Sequence, residues 1–206
     1  MAAKSAPLRA AGRNRRQLLI RAATRLFLIH GFDAVSVDAI VKQAGGSKAS
    51  VYDLFGNKEA LFGAVVEDRC THLMDTLATA NPREMPLPAA LGAIAKQFMA
   101  LILSRDALGL YRVVVAETPR IPNLGAIFFR HGPARAIAAL AEYLEGQMRA
   151  GRLRQANARQ AAEHFIGLLI STYHLRAVLG LKRGSASRHI AAAVAAFLQA
   201  YTTRRE

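Results

Sequence analysis

The segment SVDAIVKQAGGSKASVYDLFGNKEAL, from Ser36 to Leu61, decides the fold of this chain. Ser36 is a favourable N-cap for a first short helix, and Gly45-Gly46 then supplies a tight turn, because glycine adopts positive φ at little cost. Ser47 is placed to cap a second short helix. Two short helices joined by a turn of about three to four residues are typical of a helix-turn-helix, whose second helix enters the major groove of DNA. The segment therefore predicts a DNA-reading element.

The second helix of this segment has an apolar face and a polar face. Helical periodicity places three apolar residues on its inner face, namely Val51, Leu54 and Phe55. Small and polar residues lie on or beside the outer face, namely Lys48, Ala49, Ser50, Tyr52 and Asp53. We predict that Lys48, Ala49 and Ser50 contact base edges, with Lys48 on guanine and Ala49 on a thymine methyl group. The hydroxyls of Ser36 and Ser47 either serve only as caps or also contact phosphates.

Positive charge is concentrated at the start of the chain. The 206 residues carry a formal net charge of +14, and residues 1–30 hold seven basic residues and no acidic one. A basic block beside a helix-turn-helix is an electrostatic footprint for phosphates. We predict that residues 1–12 form a flexible basic arm when DNA is absent, and that Arg13, Arg15 and Arg16 contact DNA.

The periodicity of the remaining sequence predicts an all-α fold. The first helix is expected from about Asn14 to His30, and Asn57 is expected to cap a long helix that runs to about Ala80. Further helices are expected at about 89–104, 106–117, 122–131, 133–150, 157–180 and 186–203. No stretch alternates with a period of two for long enough to indicate a sheet.

Composition argues against several classes of protein. No run approaches about 18 uninterrupted apolar residues, so no membrane span is expected, and the N-terminus lacks the apolar core of a signal peptide. The single cysteine, Cys70, excludes an internal disulfide and fits a reducing cytoplasm. No histidine or cysteine pair has the spacing of a metal site, and no phosphate loop or catalytic triad is legible. We therefore expect a cytoplasmic protein with no cofactor, no metal, no catalytic residues and no enzymatic activity.

The segment and the helix before it resemble the DNA-binding domain of the TetR family of bacterial transcriptional regulators. The matching residues are Ala22-Ala23, Leu26-Phe27, His30-Gly31-Phe32, Ser36, Ile40, Ala44-Gly45, Ser47, Ser50, Tyr52, Phe55, Asn57-Lys58-Glu59 and Leu61. The resemblance implies phosphate contacts by Tyr52 and Lys58, and a phenol hydroxyl and an ammonium near a helix N-terminus suit that role. Two residues depart from the family pattern. Gly46 replaces the usual apolar residue of the turn, and Leu54 stands where many members have His or Tyr.

A second resemblance covers the later part of the chain. Three stretches are similar to the C-terminal domain of the AefR-like subgroup of the same family, namely 110–122, 131–133 and 161–169. The two resemblances together imply a helix-turn-helix domain at 13–60 and a helical effector-binding and dimerisation domain at 61–206. Candidate effector contacts are polar residues embedded in apolar sequence, namely Tyr111, Arg112, His174 and Arg176.

These features predict a homodimeric regulator that binds a palindromic operator in double-stranded DNA. Excess apolar surface on the last two helices places the dimer contact at about 157–203. From the resemblance to the family we also expect a repressor that is released from its operator by a small apolar or amphipathic effector. Two alternatives stay open at this point. The first is a non-specific architectural DNA-binding protein, and the second is a helical small-molecule-binding module with a vestigial helix-turn-helix.

Overall fold

The computed structural model describes the backbone of residues 5–77 and 85–202, and the side chains of residues 14–75 and 85–202. Over the described backbone the chain forms ten helices and no strand, which confirms the all-α prediction. The helices are α1 (Ser5–His30), α2 (Val37–Ala44), α3 (Lys48–Phe55), α4 (Lys58–Leu77), α5 (Leu87–Ile102), α6 (Arg105–Glu117), α7 (Leu124–His131), α8 (Pro133–Arg149), α9 (Ala158–Val178) and α10 (Ala186–Tyr201).

The first helix is longer than the sequence predicts. It begins at Ser5 rather than near Asn14, because alanine, leucine and arginine dominate residues 6–11 and all three are strong helix formers. The helix therefore overlaps the arm predicted at 1–12, and residues 1–4 of that arm lie outside the described residues. The flexibility of the arm stays a prediction.

The chain divides into two compact units. The first unit combines Met1–Cys70 with Arg112–Phe128, and the second combines Thr71–Tyr111 with Phe129–Glu206. The first unit thus contains the predicted 13–60 domain together with a segment that lies far along the sequence. The assignment of effector binding and dimerisation to 61–206 stays a prediction.

Three phenylalanines form the centre of the first unit. The ring centroids of Phe27, Phe32 and Phe62 lie 5.0 to 5.6 Å apart, which joins α1, the α1–α2 connection and α4. Ile40 of α2 and Val51 of α3 are fully buried in the same unit. Burying a side chain of this size stabilises a fold by roughly 1.5 to 3 kcal/mol. The core therefore holds α2 and α3 in place within the first unit.

The core of the second unit is built mainly by α5, α8, α9 and α10. Phe165 of α9 packs edge-to-face on Phe197 of α10 at 4.9 Å between ring centroids, and Phe197 stacks on Tyr201 at 4.6 Å. Leu91 of α5 and Leu144 of α8 are fully buried in the same cluster. Within the described residues, no single helix is both long and apolar enough to cross a membrane, and one pair, Leu87–Ile102 with Arg105–Glu117, reaches that length and apolarity only across a bend.

One helix of the second unit is broken where the sequence predicts a continuous helix. Ser171 within α9 has φ of 25° and ψ of −142°, which is outside the helical range. The Nε2–H of His189, on α10, donates to the carbonyl of Leu169 at 2.7 Å just before the break. The ring of His189 also stacks on Tyr173, just after the break, at 4.7 Å between centroids. The side chain of His189 therefore holds both sides of the break.

Candidate nucleic-acid interface

The two short helices begin at the serines that the sequence predicts as caps. The backbone N–H of Ala39 donates to Ser36 Oγ at 3.1 Å, and that of Ser50 donates to Ser47 Oγ at 3.4 Å. Between the helices, Gly45 and Gly46 have φ of 73° and 100°, a region in which side chains are strained. These contacts confirm the capping prediction and the glycine turn.

The outer face of α3 is open to solvent. Lys48, Ala49 and Tyr52 are exposed, Ser50 is half-buried, and Val51 is fully buried on the opposite side. The structure therefore brings the predicted base-contacting residues and Tyr52 to one helix of only two turns. Leu54 corrects the predicted inner face, since its side chain is 37% exposed. The helix is too short and too superficial to bury residues beyond Val51 and, partly, Phe55.

Lys48 is held by a neighbour on α2. Its Nζ lies 2.9 Å from Asp38 Oδ2, and the hydrogen bond to Asp38 raises the pKa of the Lys48 ammonium. Both side chains are largely exposed, and such surface ion pairs contribute little to stability. Contact between Lys48 and a guanine would thus exchange one acceptor for another at small cost.

Arg15 lies against the turn of the helix-turn-helix. Its guanidinium donates to the carbonyl of Ala44 at 3.2 Å and also to the carbonyl of Gly45. These carbonyls end α2, where orphan acceptors and the negative end of the helix dipole favour a cation. A Cβ at Gly46 would overlap the same guanidinium. Arg15 was predicted to contact DNA, and in this structure it caps α2 instead; the DNA contact stays a prediction.

Of the other two arginines predicted to contact DNA, only Arg16 has a described side chain. The guanidinium of Arg16 lies over the ring of Phe55 at 5.4 Å from the centroid, next to the end of α3. Such a cation–π contact stabilises an exposed arginine by roughly 0.5 to 1 kcal/mol and still leaves its N–H groups available. The side chain of Arg13 lies outside the described residues.

Lys58 occupies the first position of α4. Asn57 caps this helix as predicted, because the N–H of Ala60 donates to Asn57 Oδ1 at 2.7 Å. The Nζ of Lys58 lies 4.2 Å from the centroid of Phe32. A cation at a helix N-terminus that rests on an aromatic face is well placed to bind an anion such as a phosphate.

A residue that the sequence analysis missed also reaches this unit. Arg120, on the turn after α6, donates from Nη1 to Asp33 Oδ2 at 2.5 Å, in the connection between α1 and α2. The two residues are 87 positions apart, so no local pattern could reveal the contact. The same guanidinium lies 3.8 Å from Glu117 Oε2.

Of the four predicted effector contacts, the structure brings two together. Tyr111 and His174 lie edge-to-face with 5.0 Å between ring centroids, and burial lowers the pKa of the His174 imidazole. Arg176 donates from Nε to the carbonyl of Lys182 at 2.8 Å, which places its guanidinium on the α9–α10 loop. Arg112 is exposed and belongs to the first unit, so it is not part of this aromatic pair.

The second unit holds two further features that sequence reasoning missed. The hydroxyl of Tyr143 on α8 is buried and has no hydrogen-bond partner among the described residues, and burial raises its pKa. A groove of about 600 Å³ lies along the α9–α10 loop and is lined by Leu103, Tyr173, Gly180, Leu181, Lys182, Arg183, Gly184 and Ala186. Its two basic side chains distinguish it from the apolar effector pocket that the sequence predicts. Among the described residues no group of three or more His, Cys, Asp or Glu side chains could hold a metal ion.

Two short capped helices around a glycine turn, with the second helix exposed, have the arrangement of a helix-turn-helix. Two family comparisons agree with this class. Residues 19–65 match the bacterial regulatory proteins of the tetR family, and residues 89–203 match the C-terminal domain of AefR-like transcriptional repressors. The second match alone spans more than half of the chain. The chain belongs to the TetR family, and it is a DNA-binding transcriptional regulator rather than an enzyme.

Solved structures of similar proteins cover nearly the whole chain. A TetR-family transcriptional regulator from Mesorhizobium loti MAFF303099 is 29% identical with a TM-score of 0.86, over 93% of this chain and 98% of that one. The flavonoid-responsive regulator FrrA is 34% identical with a TM-score of 0.81, over 93% of this chain and 99% of FrrA.

The transcriptional repressor AcnR from Corynebacterium efficiens is 29% identical over 65 residues, which are 32% of this chain and 35% of AcnR. The match to AcnR thus spans about a third of that relative.

Proposed function

We propose that the chain is a homodimeric repressor that binds a palindromic operator and is released by a small apolar or amphipathic effector. The observation that carries the DNA part is the exposed outer face of α3, flanked by Lys58 on α4. The repressor part is supported by the AefR-like repressor domain and by the name of AcnR. The site of action would be the cytoplasm, because the operator is bacterial DNA.

The proposed contacts divide into those that read bases and those that hold the backbone. Lys48, Ala49 and Ser50 enter the major groove at the start of α3. Phosphates are held by the hydroxyl of Tyr52, the ammonium of Lys58 and the N-terminal ends of α2 and α3 at Ser36 and Ser47. Arg13 and Arg16 add positive charge on α1, whereas Arg15 contributes mainly by capping α2.

The proposed dimer contact uses the outer faces of the last two helices. Three leucines are exposed on α9 and at the residue that caps its end, with Leu168 at 38%, Leu175 at 55% and the C-cap Leu179 at 62%. Most exposed residues of α10 are alanines, namely Ala186, Ala191, Ala192, Ala195, Ala196 and Ala200, and the other three are Ser187, Arg188 and Gln199. Large apolar side chains beside a smooth, small-residue face allow helices of two copies to approach closely, and a two-fold seam buries both surfaces at once.

The proposed effector is an aromatic molecule with polar substituents. FrrA, which is similar over nearly its whole length, is named as flavonoid-responsive. In this chain the second unit offers an edge-to-face pair, Tyr111 and His174, and the buried hydroxyl of Tyr143. Sites for such ligands are mostly apolar, with a few polar groups that fix orientation.

Selection of binding sites from random duplexes tests the proposal. The expected product is a palindrome whose half-sites are spaced by about one helical turn of DNA or a multiple of it, since a two-fold dimer presents two α3 helices. Recovery of unrelated sequences with equal affinity would indicate an architectural protein. Failure to bind any duplex at low salt would indicate a helical binding module with a vestigial helix-turn-helix.

A further inference from the structure

The α1–α2 connection carries an exposed carboxylate close to the proposed phosphate contact. Asp33 directly follows Phe32, and the ammonium of Lys58 rests on the Phe32 ring at 4.2 Å from its centroid. The hydrogen bond from Arg120 lowers the pKa of the Asp33 carboxyl, and the charge of Lys58 adds a smaller effect in the same direction. Asp33 therefore carries a negative charge that interacts directly with Arg120 and more weakly, at longer range, with Lys58.

Of the two cations, Arg120 makes the direct ion pair with the Asp33 carboxylate. Its Nη1 lies 2.5 Å from Asp33 Oδ2, whereas Lys58 is placed on the neighbouring aromatic ring. Lys58 thus keeps the N–H donors that do not face the Phe32 ring for other acceptors. An unpaired Asp33 would attract the Lys58 ammonium and would also repel the phosphates of bound DNA.

The turn that carries Arg120 is firmly anchored in the first unit. The N–H groups of Arg120 and Ile121 donate to the carbonyl of Glu117 at 3.0 and 2.9 Å, and Ile121 and Leu124 are buried. The Glu117 side chain is only 12% exposed, and its Oε2 lies 3.8 Å from Arg120 Nη1. Because the backbone is fixed and a second carboxylate lies beside the guanidinium, Arg120 is held in position to meet Asp33.

We propose that Arg120 is a positioning residue for DNA binding: it neutralises Asp33 and thereby leaves Lys58 free to hold a phosphate. This inference rests on the proposed phosphate contact of Lys58. It assigns a role in DNA binding to a residue outside the helix-turn-helix. Arg120 itself does not touch DNA in this account.

The test compares R120Q with the double variant D33N/R120Q in the full-length protein. Binding to a fluorescent random-sequence duplex is measured by anisotropy, because a phosphate contact does not depend on sequence. R120Q should weaken binding roughly 3- to 10-fold, the size of one charge interaction near a protein surface. D33N/R120Q should recover most of that loss, because the unpaired carboxylate is gone. Both variants lose the contact to Glu117 equally, so their comparison isolates Asp33.

A charge-conserving variant guards against a folding defect. R120K keeps a cation beside Asp33 and should bind within about 2-fold of the wild type, as expected when charge rather than guanidinium shape is needed. Equal weakening in R120Q and D33N/R120Q, unchanged binding in R120Q, or an R120K variant as weak as R120Q would each overturn the inference.

The premise about Lys58 is tested separately. K58A in the wild-type background should reduce the slope of log affinity against log salt by roughly 1, as expected for one lost phosphate contact. An unchanged slope removes Lys58 from the proposed interface. A reduced slope without rescue of R120Q by D33N leaves the interface intact and overturns only the role of Arg120.

Discussion

Gly46 shows how one residue without a side chain makes room for another residue's charge. Its backbone has φ of 100°, and the guanidinium of Arg15 fills the space that a Cβ would need. The departure from the family pattern at Gly46 is thus matched by an arginine that caps α2. The loss of an apolar turn contact is offset by hydrogen bonds to Ala44 and Gly45.

Gly46→Ala should therefore destabilise the protein more than Gly45→Ala. Both positions have positive φ, which costs an L-residue roughly 1 to 2 kcal/mol. Only position 46 also displaces Arg15, and losing its hydrogen bonds to the part-buried carbonyl of Ala44 and the exposed carbonyl of Gly45 adds about 0.5 to 1.5 kcal/mol. The measurement is the free energy of unfolding in urea for the two variants. In an Arg15→Ala background the extra cost at position 46 should disappear; equal costs at 45 and 46 in the wild type would contradict this account.

His174 should make stability depend on pH. Burial lowers its pKa below the ordinary 6.5, so the folded protein resists protonation while the unfolded chain takes up a proton. The free energy of unfolding should then fall as pH drops below about 6.5, until the lowered folded-state pKa is reached. Thermal unfolding of the wild type and of His174→Phe between about pH 5 and pH 7.5 measures the effect, and the variant should show the flatter profile. Identical slopes would show that His174 is not the group responsible.

At the scale of elements, local contacts are the ones that sequence reasoning predicts. Ser36, Ser47 and Asn57 cap helices a few residues away, so the side chain and the N–H it accepts from appear in one short stretch. Contacts between distant positions leave no such trace. The Arg15 cap, the Arg120–Asp33 ion pair and the hold of His189 on α9 depend on how helices pack.

The break in α9 illustrates the same limit. Residues around Ser171 have ordinary helical periodicity, and only the position of His189 on α10 shows how the carbonyl of Leu169 is satisfied. A broken helix in an apolar core requires such a partner, because an orphan buried carbonyl is costly. The partner lies on another helix, so the sequence of α9 alone predicts a continuous element.

The exposed leucines of α9 lead to a prediction about assembly. Leu175 and Leu179 are one turn apart after the break, and a carboxylate placed between two copies there would be buried without a partner. Leu175→Glu should shift the dimer towards monomer in sedimentation and weaken operator binding, because one head alone meets one half-site. Val115→Glu, another exposed apolar residue but on α6, is the matched control and should leave the dimer intact. A dimer that persists unchanged in Leu175→Glu would place the seam elsewhere.

At the scale of the whole molecule, effector and operator should oppose each other reciprocally. Aromatic compounds with a few polar substituents are titrated against the free dimer and against the dimer bound to its selected operator. A compound that weakens operator affinity by some factor must itself bind more weakly to the operator complex by the same factor. We expect this behaviour from aromatic compounds with few polar groups. Tight binders that leave operator affinity unchanged would reduce the C-terminal domain to a dimerisation scaffold.

The composition of the first unit has a practical consequence for protein engineering. Its fold includes Arg112–Phe128 as well as Met1–Cys70, with Ile121 and Leu124 buried and Arg120 on Asp33. Chimeric regulators are designed by grafting the operator specificity of one parent onto the sensor of another. A chimera with a single crossover after α4 would combine the helix-turn-helix of this chain with the other parent's version of residues 112–128. A better chimera would take both Met1–Cys70 and Arg112–Phe128 from this chain, so that Asp33 keeps its partner Arg120.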